Sequence, residues 1–110
     1  MALTLYGLKN CDTCKKAMKA LEAAGKTYEF VDIRADANLA ALVPSWLESA
    51  GADLLINRRS TTWRNLSEAE RETAPEALLV ANPTLVKRPV ITTGTDVHVG
   101  WSKDVQAALL

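Results

Sequence analysis

Residues 3–25 read LTLYGLKNCDTCKKAMKALEAAG, and two thiols, Cys11 and Cys14, stand there between an apolar run and a helical pattern. Leu3 to Tyr6 is short, apolar and bounded by Gly7, which predicts a buried strand feeding the loop GLKNCD. From Thr13 onward Ala17, Leu21 and Ala24 recur at helical spacing, Lys15, Lys16, Lys19 and Glu22 take the other side, and Gly25 supplies a stop. The stretch TYEFVDI, Thr27 to Ile33, is rich in β-branched and aromatic residues and follows closely, so it predicts a second strand, parallel to the first through a right-handed crossover. The chain therefore opens βαβ.

Cys11 falls at the strand-to-helix junction, where unpaired N–H groups and the positive end of the helix stabilise an anion, and Lys15 and Lys16 lie in the first turns. That position favours thiolate over thiol. A thiolate is the nucleophile of disulfide exchange, and a second cysteine one helical turn on can resolve the mixed disulfide. Two other readings of the pair exist, a zinc half-site and two small core residues. Zinc wants four ligands and His98 is the only histidine, so no metal is expected. The C-x-x-C spacing in a strand-loop-helix context points instead to redox use.

Composition bounds the rest. The 110 residues, 48% of them hydrophobic, suffice for one compact domain and are too few for two comfortable ones. Thirteen basic residues balance thirteen acidic ones, so no global field draws the protein to nucleic acid or an anionic membrane. No apolar run approaches the roughly 20 residues that span a bilayer, and the start lacks the pattern of a cleaved leader, so the expected place is the cytoplasm. Two cysteines cannot build a secreted disulfide scaffold, and a reducing compartment keeps an unstrained pair as thiols unless it is catalytic.

Past the opening unit, NLAALVPSWLESAGADLLI carries Leu39, Leu42, Val43, Trp46 and Leu47 at helical spacing, with Pro44 either kinking that helix or sitting in its first turn. Ser67 and Glu70 form a capping-box pattern, and Pro75 suits the first turn of PEALLVAN, which Asn82 and Pro83 terminate. PVITT and DVHVG, joined by TGT, predict a hairpin, and Ser102 can cap a closing helix KDVQAALL. The expected architecture is α/β: one domain over 1–110, in the order βαβ…ββα, with a helical insertion at about 36–83 between the second and third strands.

Two further stretches bear on chemistry. In VKRPVITT, Pro89 opens a strand and is a candidate cis proline that leaves the preceding backbone free to pair with a thiol substrate, while Arg88 can hold a carboxylate through its planar fork. In LLINRRSTTWRNL, Arg58, Arg59 and Arg64 surround Trp63; the plain alternative is a loop with its charges outward and Trp63 on the core.

Together, YGLKNCDTCKKA, LLINRRSTTWRNL and LVKRPVI, in this order and spacing, resemble the arsenate reductase-like (ArsC) family of glutaredoxin-related proteins, its Spx/MgsR-type branch in particular. The resemblance implies a thioredoxin-like fold with a helical insertion, Cys11 as the redox-active thiol and Pro89 as a cis proline. Arsenate-reducing members are thought to cradle the oxyanion with three arginines. Here only Arg88 matches: Asn57 follows Leu55 and Ile56, with Arg58 and Arg59 displaced, and Gly100 and Trp101 stand at the third place. Ser60 also replaces a frequent glycine. Losing two charged forks removes contacts worth roughly 1.5–3 kcal/mol each, so poor arsenate reduction is expected.

Two readings follow. In the first the chain is a thiol-disulfide oxidoreductase with no bound cofactor and with glutathione or another small thiol as co-substrate: Cys11 attacks, Cys14 or a second thiol resolves, and Arg88, Pro89, Arg58, Arg59, Asn10 and Lys15 contact substrate. In the second it is a redox-sensing regulator in the manner of Spx, docking on RNA polymerase. The arginines that could converge on the thiol favour the first.

Overall fold

A computed structural model describes residues 3–94 and 96–110. It divides into two compact units, Met1–Ala37 with Arg88–Leu110, and Asn38–Lys87.

The first unit holds the sheet. Strand β1 (Leu3–Gly7), helix α1 (Asp12–Ala23) and strand β2 (Tyr28–Asp32) open the chain, and β3 (Val90–Thr92), β4 (Val97–Val99) and α7 (Lys103–Leu109) close it. The four strands lie in the order β2-β1-β3-β4, with β1 parallel to β2 and antiparallel to β3. This is the α/β, thioredoxin-like βαβ…ββα order expected from the sequence. Alternation explains how β1 sits: Leu3, Leu5 and Gly7 are buried while Thr4 and Tyr6 are only half so, as period-two geometry demands. Leu3 and Leu5 meet Ala17 and Leu21 of α1, Ile91 of β3, and Val105 and Leu109 of α7 in one core, with Met18, Tyr28, Phe30 and Trp101 around it. A buried leucine of this kind stabilises by about 2–5 kcal/mol relative to alanine. Gly25, at φ +74°, turns the chain out of α1, and the Ser102 hydroxyl accepts the Val105 N–H at 3.3 Å to cap α7. Thr95 of the hairpin turn lies outside the described residues.

The second unit is helical: α2 (Leu39–Ala50), α3 (Ala52–Leu55), α4 (Thr61–Asn65), α5 (Glu68–Arg71), α6 (Pro75–Ala81) and a short 3₁₀ turn Pro83–Leu85. Pro44 stands inside α2, well past the first turn, and Gly51 at φ +84° breaks the apolar run into α2 and α3. Ser67 and Glu70 close the expected capping box, and Pro75 opens α6. An antiparallel bridge joins Ile56 to Val86, with Asn57 N–H donating to Leu85 O at 2.9 Å and Lys87 N–H to Leu55 O at 2.8 Å. Among the described residues no helix is long and apolar enough to cross a membrane.

Candidate active site

The register of β1 brings the thiol loop to the end of the strand that meets β3. Tyr6 pairs with Val90 in antiparallel sense, so the chain leaving β1 runs beside the chain entering β3. Leu8–Cys11 thereby lies next to Arg88–Pro89. The Arg88–Pro89 peptide bond is cis, Pro89 is fully buried, and its carbonyl accepts the Gly100 N–H at 2.8 Å.

Cys11 is the N-cap of α1, with extended φ −89° and ψ 121°. The Cys11 N–H donates to Leu8 O at 3.1 Å and its carbonyl accepts the Lys15 N–H at 3.0 Å, which pins the residue on both sides. No side-chain cap bond is closed there, yet groups that stabilise negative charge face the sulfur. Burial pushes its pKa up; the Cys14 N–H, the Cys14 thiol and the Arg88 guanidinium, by hydrogen bonding and by charge, outweigh that and hold it below the usual thiol range.

Cys14 behaves oppositely. It is fully buried, and its pKa is pushed up to about 12 by that burial and by the sulfur of Cys11, against the Leu8 N–H and the Arg88 charge. The surroundings thus favour loss of the proton from one thiol and its retention on the other. Gly7 makes room for this: a Cβ there would lie 2.6 Å from Cys14 Sγ. The sequence marked Gly7 only as a strand end; that only glycine admits the Cys14 sulfur is a tertiary fact with no local signal.

The other expected site residues divide between the units. Asn10 and Lys15, both exposed, flank Cys11 on the loop and on α1. Arg58 and Arg59 belong to the helical unit, where Arg58 Nη1 meets Asp53 Oδ1 at 3.3 Å and its guanidinium lies 5.4 Å from the Trp63 ring centroid. Arg71 covers the same ring at 5.1 Å and donates from Nε and Nη2 to Trp63 O at 3.2 and 3.0 Å. Trp63 is thus a half-buried indole contacted by two guanidinium groups. Among the described residues no group of three or more His, Cys, Asp or Glu could hold a metal ion.

Known proteins agree with this architecture. A 40% identical, uncharacterised protein of Haemophilus influenzae covers 96% of the chain and is itself covered over 97% of its length. A solved structure described as the YFFB (PA3664) protein is 36% identical, superposes with a TM-score of 0.88, and covers 98% of each chain. An arsenate reductase (ArsC) related protein from Brucella melitensis is also 36% identical, at a TM-score of 0.77 over 98% of this chain and 93% of its own. The ArsC family's sequence model matches residues 6–109, thiol loop, cis proline and closing helix included, and the chain belongs to the ArsC family.

Proposed function

We propose that the chain is a glutathione-linked thiol-disulfide oxidoreductase. The observation that carries this reading is the asymmetric thiol pair, Cys11 at a helix N-cap with a lowered pKa and Cys14 buried with its pKa at about 12. A nucleophile of this kind is a thiolate over a wider pH range than a free cysteine, and attack on disulfides requires the thiolate.

The reaction balances without a bound cofactor. The Cys11 thiolate attacks one sulfur of a disulfide R–S–S–R′, the S–S bond breaks, and R–S⁻ leaves and takes up a proton from water. The protein then carries a Cys11 mixed disulfide with R′. A glutathione thiolate that attacks the R′ sulfur forms R′–S–S–G and returns Cys11 as thiolate. In the alternative, Cys14, after loss of its proton, attacks the Cys11 sulfur, releasing R′–S⁻ and leaving a Cys11–Cys14 disulfide. Two glutathione thiols reduce that disulfide and return both cysteines as thiols, with glutathione disulfide as the product. The interaction of Arg88 with the Cys11 sulfur supports the reading: in this reaction its guanidinium stabilises the attacking and departing charge and offers a partner to a substrate carboxylate.

Incubating the reduced protein with glutathione disulfide and weighing the product tests the reading. The expected result is one glutathione on Cys11, removed again by excess glutathione, with Arg88→Ala raising the Michaelis constant for a glutathione mixed disulfide about tenfold or more, since a charge-assisted contact is worth roughly 1.5–3 kcal/mol. A protein that exchanges with no small disulfide, yet forms a reversible Cys11–Cys14 disulfide, is a redox switch and not this enzyme.

A further inference from the structure

The central strand has a second neighbour, and that side of the thiol loop has a structure of its own. Gly7 pairs with Asp32 in parallel sense, and the Ile33 N–H donates to Gly7 O at 3.0 Å. Two parallel strands therefore end side by side, and the loop after β1 faces the turn after β2.

Asp32 builds that turn. Its Oδ1 accepts the Arg34 N–H at 2.8 Å and the Ala35 N–H at 2.9 Å. Its carboxylate is thus engaged by the backbone, and the turn points the chain away at Arg34. Leu8, Lys9, Asn10, Asp32, Arg34 and Ala35 line a cleft of about 510 Å³ between the two loops. Both cations of the cleft, Lys9 and Arg34, are exposed, and the Lys9 ammonium lies 6.0 Å from the Phe30 ring centroid. Asp32 is held below the usual carboxylate range by the Ala35 and Arg34 N–H groups and by the charges of Arg34 and Lys9, which places both cations within electrostatic reach of the same small volume. Two positive groups against one carboxylate leave the cleft positive, one residue from Cys11 at its Asn10 end.

We propose that this cleft receives the carboxylate-bearing arm of the disulfide substrate, with Lys9 and Arg34 as its positive walls and as the residues that select anionic over neutral disulfides. The assignment rests on the disulfide-exchange reading of Cys11 and specifies its substrate: a small disulfide with a carboxylate several bonds from the sulfur. Arg88 stands on the β3 side of the same loop, so the reacting S–S bond lies between a cation that serves the sulfur and a pair that serves the arm.

Two measurements keep the two ideas apart. In the first, the unreactive probe S-methylglutathione is titrated into the ¹⁵N-labelled protein. Shift changes are expected at the Lys9, Asn10, Arg34 and Ala35 amides, and affinity is expected to fall about tenfold or more in Lys9→Glu/Arg34→Glu, since each exposed contact contributes only a few-fold. In the second, single-turnover adduct formation at Cys11 is compared for glutathione disulfide and the neutral hydroxyethyl disulfide. The anionic-to-neutral rate ratio is expected to fall by about tenfold in the double variant, while the neutral rate and the response to Lys103→Glu, a charge reversal on α7, stay near wild type. Shift changes confined to other residues, or an affinity and a ratio indifferent to the double variant, overturn the cleft; an equal loss in Lys103→Glu reduces it to general charge and overturns it as well. Failure of Cys11 to react with either disulfide overturns the enzyme reading, while the titration with S-methylglutathione still decides the cleft.

Discussion

A methyl group added at Gly7 meets Cys14 Sγ at 2.6 Å, closer than real Cβ atoms come, and Leu5 Cδ2 and Cys14 Cβ at 3.4 Å leave no way round. Gly7→Ala is therefore expected to destabilise the protein by about 1–3 kcal/mol, as overpacking does, and to slow alkylation of Cys11 by displacing the thiol that faces it. In a Cys14→Ala background the same substitution is expected to cost clearly less, and a double-mutant cycle in urea measures the coupling. The thiols also fix how reactivity and stability depend on pH. Cys11 is expected to be alkylated by iodoacetamide well below the pH at which a free cysteine reaches the same rate, with Cys14 unmodified until the chain is denatured. For Cys14 the unfolded thiol ionises near ~8.5 and the folded one at about 12, so between those values the unfolded state carries fewer protons and stability falls as pH rises. The contribution of Cys11 has the other sign, complete above the unfolded value and lost as pH falls through the lowered folded one. Denaturant midpoints of the reduced protein at about pH 8 and about pH 10, taken relative to Cys14→Ala, are expected to drop with pH.

Among the elements, α2 carries a cost that the others do not. Pro44 has no N–H to give to the Ala40 carbonyl, and its ring crowds the preceding turn. It is also exposed, so no packing depends on the ring. Pro44→Ala is expected to raise stability by about 1–2 kcal/mol, the helix-propensity gain of about 3 kcal/mol reduced by the greater freedom of the unfolded chain; calorimetry reads it as a higher melting temperature. The closing helix depends on its first residue instead. With the Ser102 hydroxyl accepting from Val105 N–H at 3.3 Å, Ser102→Ala is expected to cost about 1 kcal/mol and to loosen Val105 and Leu109, the two residues by which α7 joins the core.

At the scale of the whole chain, arsenate chemistry is expected to be weak. The resemblance to arsenate-reducing members asks for three arginines, and beside Pro89 the third place is taken by Gly100, whose N–H is bonded to the Pro89 carbonyl, and by Trp101, which packs against the core. A coupled assay with glutathione and glutaredoxin is expected to show arsenate turnover far below disulfide turnover; comparable rates would mean that another cation completes the oxyanion site. Much of this molecule was legible along the chain. The short apolar run Leu3–Tyr6 ended by Gly7, helical spacing in Ala17 and Leu21, the Ser67–Glu70 box, Pro75 and Ser102 are signals carried by neighbours in sequence, and the spacing of Cys11 and Cys14 with Pro89 downstream was enough to suggest thiol chemistry. Pro44 was ambiguous because a proline fits a first turn locally, and only the packing of α2 placed it in the interior. The activation of Cys11 over Cys14 was legible from its place at the start of α1, whereas the need for glycine at position 7, the Arg88 contribution to Cys11 and the cleft of Lys9, Arg34 and Asp32 were not readable. Each depends on which strand lies beside β1 and in what register, and the pairings Gly7↔Asp32 and Tyr6↔Val90 join residues 25 and 84 positions apart, a separation over which no local propensity acts.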